Sequence, residues 1–380
     1  MPKQFHSRAV ELAIRSLTIA LASGALLLGG CVSPPKKPAR APDQVHAQLL
    51  QLLPARVADQ ESWASAFTDA FVALDIDAST SHLCAALAVA EQESGFVADP
   101  PVPGLGRIAR AEIERRAEAH HIPQFMVNAA LAISSTVGKS YGERIAAVHT
   151  ERELSLVYED MIERVPLGQR LFADSNPVKT GGPMQVNIEF AEQYVRNHPY
   201  PYPLAANETI RHQVFTRRGG VYFGIAHLLG YPVSYDRMIF RFADFNAGFY
   251  ASRNAAFQNA VAIASGTPLA LDGDLINYDG DAGKTELAVR TLARELDLGE
   301  AQIRRALERG ESLDFETTEL YQRVYVLAEK KQRTPLARAM LPRIDLSSPK
   351  ITRKLTTQWF AERVEQRYRS CLARAGGGGK

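Results

Sequence analysis

The chain has 380 residues, 46% of them apolar, a composition that excludes a disordered chain and is ordinary for a folded body. Its formal net charge of +2 vanishes once the N-terminal leader is set aside. Lys and Arg then fall from 44 to 41 and Asp and Glu from 42 to 41, which gives no support to a nucleic-acid binder. None of the three cysteines forms a Cys/His cluster at zinc spacing, and neither a metal nor a cofactor is implied.

The N-terminus has the parts of an export signal: basic Lys3, Arg8 and Arg15, diluted by Glu11, then an apolar run from Leu17 to Leu28. That run is shorter than the ~20 residues a spanning helix needs. Leu28-Gly29-Gly30-Cys31 resembles a bacterial lipobox. The resemblance implies removal of residues 1–30 and lipid on the sulfur of Cys31. An ordinary secretory signal or a short membrane anchor is the other reading of the same residues. Val32 and Ser33 stand where an Asp retains lipoproteins of enteric bacteria in the inner membrane, so the expected address is the outer membrane. Residues 31–43, with Pro34, Pro35, Pro38 and Pro42, read as an extended tether.

Beyond it the chain reads as mainly helical. Residues 56–75 place Val57, Trp63, Phe67, Ala70, Phe71 and Leu74 at helical spacing. Thr80 is placed to cap a helix ending at Glu93. Similar periodicity covers 107–119, 123–135, 143–164, 187–197, 208–230, 234–245 and 253–264. The Pro- and Gly-rich stretches 95–106 and 165–186 read as loops. After Gly266 an Asp- and Gly-rich linker leads to helices at about 284–295, 299–309, 315–331 and 350–373. Its run from Asp272 to Asp281 lacks the glycine and distal glutamate of an EF-hand and reads as a solvated loop. Residues 376–380 read as a flexible tail. Cys84 and Cys371 either pair in a disulfide that closes a very long loop, or Cys84 is a small buried residue.

Three segments carry chemistry. Leu83, Ala86, Leu87 and Ala90 form one helical stripe that Glu93 continues, followed at once by Ser94-Gly95. A carboxyl against apolar packing is held protonated by desolvation, which is what protonation of a glycosidic oxygen requires. A surface glutamate at a helix end is the plainer reading. Glu91, two residues off, should face solvent. Thr180-Gly181-Gly182-Pro183-Met184-Gln185-Val186 has glycines that permit a tight turn and close approach to a ligand, or simply a loop feeding the next helix. Phe245-Asn246-Ala247-Gly248 follows a helix with Gly220-Val221-Tyr222-Phe223-Gly224, whose small residues also suit helix packing.

In this order the three segments resemble the motifs of lysozyme-like lytic transglycosylases. Glu-Ser-Gly matches their single acid, Gly-Gly-Pro-Met-Gln their Gly-Leu-Met-Gln turn, and Phe-Asn-Ala-Gly their Tyr-Asn-Ala-Gly segment. The resemblance implies Glu93 as proton donor, Ser94 orienting it, and Met184, Gln185 and Asn246 lining the sugar cleft. The substrate would be peptidoglycan glycan strands, cleaved between MurNAc and GlcNAc with 1,6-anhydro ring closure. Two departures stand out. Pro183 replaces Leu, and Phe245 lacks the tyrosine hydroxyl, for which Tyr222 or Tyr250 would have to substitute. They motivate a competing reading, a lysozyme-like glycan-binding or scaffold lipoprotein without efficient chemistry. No clear second carboxylate accompanies Glu93, Asp244 being merely adjacent to the third segment, which favours a transglycosylase over a water-using hydrolase.

The expected architecture is thus mainly α: a lysozyme-like domain over 44–266 with a helical insertion at about 104–175, and a helical satellite over 267–375. Lipobox, motifs and satellite together resemble the YaiW-like family of Gram-negative outer-membrane lipoproteins, whose core domain is of unknown function.

Overall fold

The computed structural model describes residues 40–164, 176–278, 280–346 and 354–377. The leader, Cys31, most of the tether and part of the loop expected at 165–186 lie outside the described residues. The described chain is mainly helical, with two short hairpins. None of its helices is long and apolar enough to cross a membrane.

Helix α1 (Pro42–Leu52) corrects the boundary of the tether. Pro42 opens this helix, where its fixed φ is suitable and its missing N–H is not needed. Val45, Leu49 and Leu52 are buried against the first core. Helix α2 (Gln60–Ala73) buries Trp63, Phe67 and Phe71. Helix α3 (Thr80–Glu93) is capped by Ser79, whose hydroxyl accepts from His82 N. It is not amphipathic: every residue from Leu83 to Ala90 is buried. A helix apolar all round belongs at the centre of a core, and the expected stripe is only part of what it buries.

The insertion contains α4 (Leu105–Ala119), α5 (Gln124–Ala132), α6 (Tyr141–Ala147) and α7 (Glu151–Arg164). The single helix expected over 143–164 is two. At the break Thr150 Oγ1 accepts from Glu153 N, while the Glu153 carboxylate accepts from His149 N and Thr150 N. That is a reciprocal cap, legible in the sequence as Thr-x-x-Glu. The break also returns the chain to the loop after α3: Val102 N donates to His149 O at 2.8 Å, and Thr150 Oγ1 donates to Asp99 at 2.9 Å.

Strands β1 (Thr180–Gly181) and β2 (Val186–Asn187) form an antiparallel hairpin, Thr180 opposite Asn187 and Gly181 opposite Val186. Helix α8 (Ile188–Asn197) follows directly. The helix expected over 208–230 is also split, into α9 (Ile210–Val214) and α10 (Arg217–Leu229), with Thr209 and Thr216 as N-caps. Helix α11 (Met238–Ala247) leads to α12 (Ala251–Ser265).

A second hydrophobic cluster gathers Phe257, Val261, Val289, Ile303, Phe315 and Val324. It takes in α12, α13 (Lys284–Thr291), α14 (Ala293–Leu296), α15 (Glu300–Leu307), a 3-10 turn at Leu313–Thr317 and α16 (Glu319–Gln332). The expected satellite over 267–375 therefore divides differently. It begins on α12, and the last helix, α17 (Thr357–Gly377), leaves it: Phe360, Ala361, Val364 and Cys371 lie in the first core. Cys84 and Cys371 are bonded there, their Cα atoms 5.5 Å apart across 287 residues of sequence. Gly376 and Gly377, expected in the tail, belong to α17.

Candidate functional site

Glu93 is the last residue of α3 and is half-buried. Ser94, the C-cap, turns its hydroxyl onto the hairpin: Oγ donates to Pro183 O at 2.9 Å and accepts from Val97 N at 3.3 Å. Gly95 and Phe96 then pass through left-handed backbone, at φ 61° and 66°. Phe96 is anchored edge-on against Trp63, ring centroids 5.5 Å apart. The end of α3 is thus tied to the Gly-Gly-Pro-Met-Gln turn by a direct hydrogen bond. Glu91 does not face solvent as expected. It is half-buried, pairs with Arg56, and lies 4.0 Å from Arg367.

The turn itself is built from close approaches. Gln185 N donates to Gly182 O at 3.1 Å. A Cβ at Gly181 would overlap the Phe215 ring, and one at Gly182, where φ is 72°, would overlap Val214 O. On the other side Pro183 packs on Gly220 and Met184 on Gly224, both of α10 and again without room for a Cβ. Met184 is 0% exposed. It anchors the turn in the core and does not line a sugar cleft, which corrects its expected role.

Gln185 is half-exposed, with φ 48°. Its side-chain amide is oriented by three groups. Oε1 accepts from Thr180 Oγ1 at 3.2 Å, and Nε2 donates to Glu151 Oε2 at 3.0 Å and Gly182 O at 3.4 Å. Both N–H groups are therefore engaged, and one Oε1 lone pair remains for a ligand donor such as an N–H or hydroxyl. Glu151, 5% exposed at the start of α7, is a residue that motif reading missed. The Thr-x-x-Glu cap at Thr150 was its available signal, since it places Glu151 at the first turn.

Helix α10 is the common spine. Gly220 receives Pro183, Gly224 receives Met184, and the His227 ring packs at a tilt or edge-on against Phe190, Phe245 and Phe249, at 4.7, 4.9 and 4.8 Å between centroids. Seven residues separate Gly220 from His227, about 10 Å along the helix at its usual rise. The third segment thus reaches the same helix as the second, about two turns further on. Asn246 itself is exposed, and its Oδ1 accepts from Thr357 Oγ1 at 3.0 Å. No direct contact joins Asn246 to Glu93 or Gln185 among the hydrogen bonds of the described residues.

Neither tyrosine supplies the hydroxyl that Phe245 lacks. Tyr222 is buried in a cluster with Tyr194, Tyr200 and Tyr202. Burial, reinforced by Tyr194, pushes its phenol up to about 12. Tyr222 therefore braces α10 instead of lining the site as expected. The Tyr250 hydroxyl donates to Pro232 O at 2.8 Å. Asp244 is 0% exposed and accepts from Tyr231, Tyr235 and Ser252 N. Burial holds its carboxyl above the usual range, and its ligands make it a structural hub between α11 and α12. No group of three His, Cys, Asp or Glu among the described residues is arranged to hold a metal ion.

Two cavities stand out among the described residues. One, of about 510 Å³, is a surface groove between Ile239 of α11 and Glu362 to Ala373 of α17. The other, of about 80 Å³, is bordered by Ala247, Gly248 and Phe249 and by the second core. Glu93 and Gln185 line neither of them.

Comparison with known proteins decides the relationship. The family model described as "protein of unknown function (DUF1615)" matches residues 56–374. The chain belongs to this family. It is 54% identical over 352 residues to "Uncharacterized protein YaiW" of Escherichia coli (strain K12), covering 91% of this chain and 95% of that one. The YaiW-like resemblance is therefore shown. No solved structure matches the chain.

Proposed function

We propose that this YaiW-like protein acts on peptidoglycan glycan strands as a lytic transglycosylase, on a lysozyme-like helical frame. The observation that carries the reading is the Ser94 hydroxyl on Pro183 O, which sets the end of the Glu93 helix against the turn that presents Gln185. Glu93 gives its proton to the oxygen between MurNAc and GlcNAc as the C1–O bond breaks. The MurNAc acetamido oxygen closes on C1. The C6 hydroxyl then attacks C1, its proton returns to the Glu93 carboxylate, and the acetamido group is released. One carboxylate serves as acid and then as base, and the buried, fully ligated Asp244 is not needed. The same reading places the body at the outer membrane, held by lipid on Cys31.

A second reading draws support from the tyrosines. With Phe245 in the third segment and the Tyr222 and Tyr250 hydroxyls committed elsewhere, the frame suits a glycan-binding lipoprotein of weak or no activity. Purified sacculi incubated with the protein separate the two. Anhydromuropeptides that appear with the wild type and disappear with Glu93→Gln support cleavage. Retention on sacculi by both forms without product supports binding alone. A Glu93→Gln variant that still makes product would remove Glu93 from the mechanism.

A further inference from the structure

Helix α12 buries an unusual set of polar side chains: Ser252, Arg253, Asn254 and Gln258 are all nearly inaccessible. Burying such groups is costly unless each is hydrogen-bonded, and here the partners are largely the backbones of two loops. Gln258 Nε2 donates to Asp272 Oδ1, Asp274 O and Thr285 Oγ1 at 2.7, 2.9 and 3.1 Å, and its Oε1 accepts from Gly273 N at 2.8 Å. Arg253 donates to Ser312 O at 2.7 Å and to Gly310 O, and Asn254 Nδ2 donates to Gly310 O at 3.0 Å. The helix thereby fixes the segments 272–274 and 310–312.

What those segments deliver is two exposed carboxylates, Asp274 and Glu311, on the rim of the 80 Å³ cavity. Two rings complete it: Phe249, half-buried beside the Asn-Ala-Gly segment, and Tyr278, 55% exposed. Gly248 adds bare backbone to the lining, at φ 110°, with no heavy atom within 4 Å of its missing Cβ. Rings that offer an apolar face, beside charged acceptors held on rigid supports, match the two sides of a sugar, its C–H face and its hydroxyls.

We propose that this cavity is a saccharide subsite taking one ring of a glycan chain, with Phe249 and Tyr278 against the sugar face and Asp274 and Glu311 accepting from its hydroxyls. The proposal rests on the glycan reading above and gives the second core a part in it. Two carboxylates repel an anionic ligand. The subsite therefore takes the neutral GlcNAc ring and not the MurNAc ring with its lactyl carboxylate.

The test is binding of chitotetraose, a neutral GlcNAc tetramer, measured by calorimetry and by saturation-transfer NMR on the full-length protein. Asp274→Asn with Glu311→Gln, and separately Tyr278→Ala, should each weaken binding about tenfold, the scale of one or two charge-assisted or stacking contacts. These are surface positions, so thermal unfolding should not change. Phe249→Ala should do the same but also touches Phe190, His227 and Tyr231, so it is secondary. No binding by the wild type, wild-type affinity in the double variant, or binding only of the cationic glucosamine tetramer each overturns the subsite. Binding that depends on these residues without cleavage of sacculi leaves the subsite standing and defeats the transglycosylase. Cleavage by variants that bind and cut like the wild type does the reverse.

Discussion

His227 is a titratable group boxed by Phe190, Phe245 and Phe249, with a buried Nδ1 that has no hydrogen-bond partner among the described residues. Burial pulls its pKa down from 6.5 to about 4, so the folded protein keeps it neutral. Between those values the unfolded chain binds the proton and the folded one does not. Stability is therefore intact above pH 6.5 and falls as pH drops towards 4, by roughly 3–4 kcal/mol at most. Urea midpoints at pH 7 and pH 4.5 should show this loss. His227→Phe, which suits the ring box, should remove that share of it. An unchanged pH difference would mean the box is open to water. Glu151 makes a second case. Glu151→Ala leaves the Gln185 N–H without its carboxylate and should cost about 1–3 kcal/mol, while Glu151→Gln retains an acceptor and should cost less. Urea unfolding of the two variants checks the order.

The hairpin and α10 form a small element whose geometry depends on absent side chains. A Cβ at Gly220 would meet the Pro183 ring and the Val214 carbonyl, neither of which is the end of a flexible chain. Gly220→Ala should then destabilise by about 1–3 kcal/mol through overpacking. It should also reduce product from sacculi, because the turn must move off Ser94. Glycan release equal to wild type from a measurably destabilised Gly220→Ala would uncouple the turn from the site. Much of this element was readable beforehand. Glycines and Pro announced the turn, and periodicity found α3, α5 and α8 to within a few residues. What escaped has physical reasons. The Pro-rich composition around Pro42 concealed a helix that uses Pro at its first position. Periodicity runs unbroken through 143–164 and 208–230 because the caps that divide these helices, Thr150 with Glu153 and Thr216, lie inside the apolar pattern. Periodicity also cannot tell that α3 is buried on every side, so it points Glu91 to solvent, where the fold instead sets it beside Arg56 and Arg367. The destinations of Met184 and Tyr222 depend on α10 packing, which no local pattern contains.

At the scale of the molecule, α17 is the strap that holds the site's distant parts together. Cys371 is bonded to Cys84 on α3, Tyr368 shares a hydrogen bond with Ser81 at 2.8 Å, and Arg367 faces Glu91. Beside the disulfide Arg374 donates to Leu52 O of α1 at 2.8 Å, and at the other end of the helix Thr357 donates to Asn246. One C-terminal helix therefore touches the acid-bearing helix and the Asn-Ala-Gly segment, after a path through the second core. Closing so long a loop chiefly penalises the unfolded chain, with typical gains of about 2–4 kcal/mol. Cys84→Ala with Cys371→Ala should lose about that much in urea unfolding, while a reductant should destabilise the wild type and leave the variant unchanged. The remaining α17 contacts are side-chain and backbone bonds that survive the substitution. The folded variant should therefore still bind glycan at low temperature and lose it on warming before the wild type does. Loss of binding at all temperatures would show that the bond sets the geometry of the site and does more than hold the chain together.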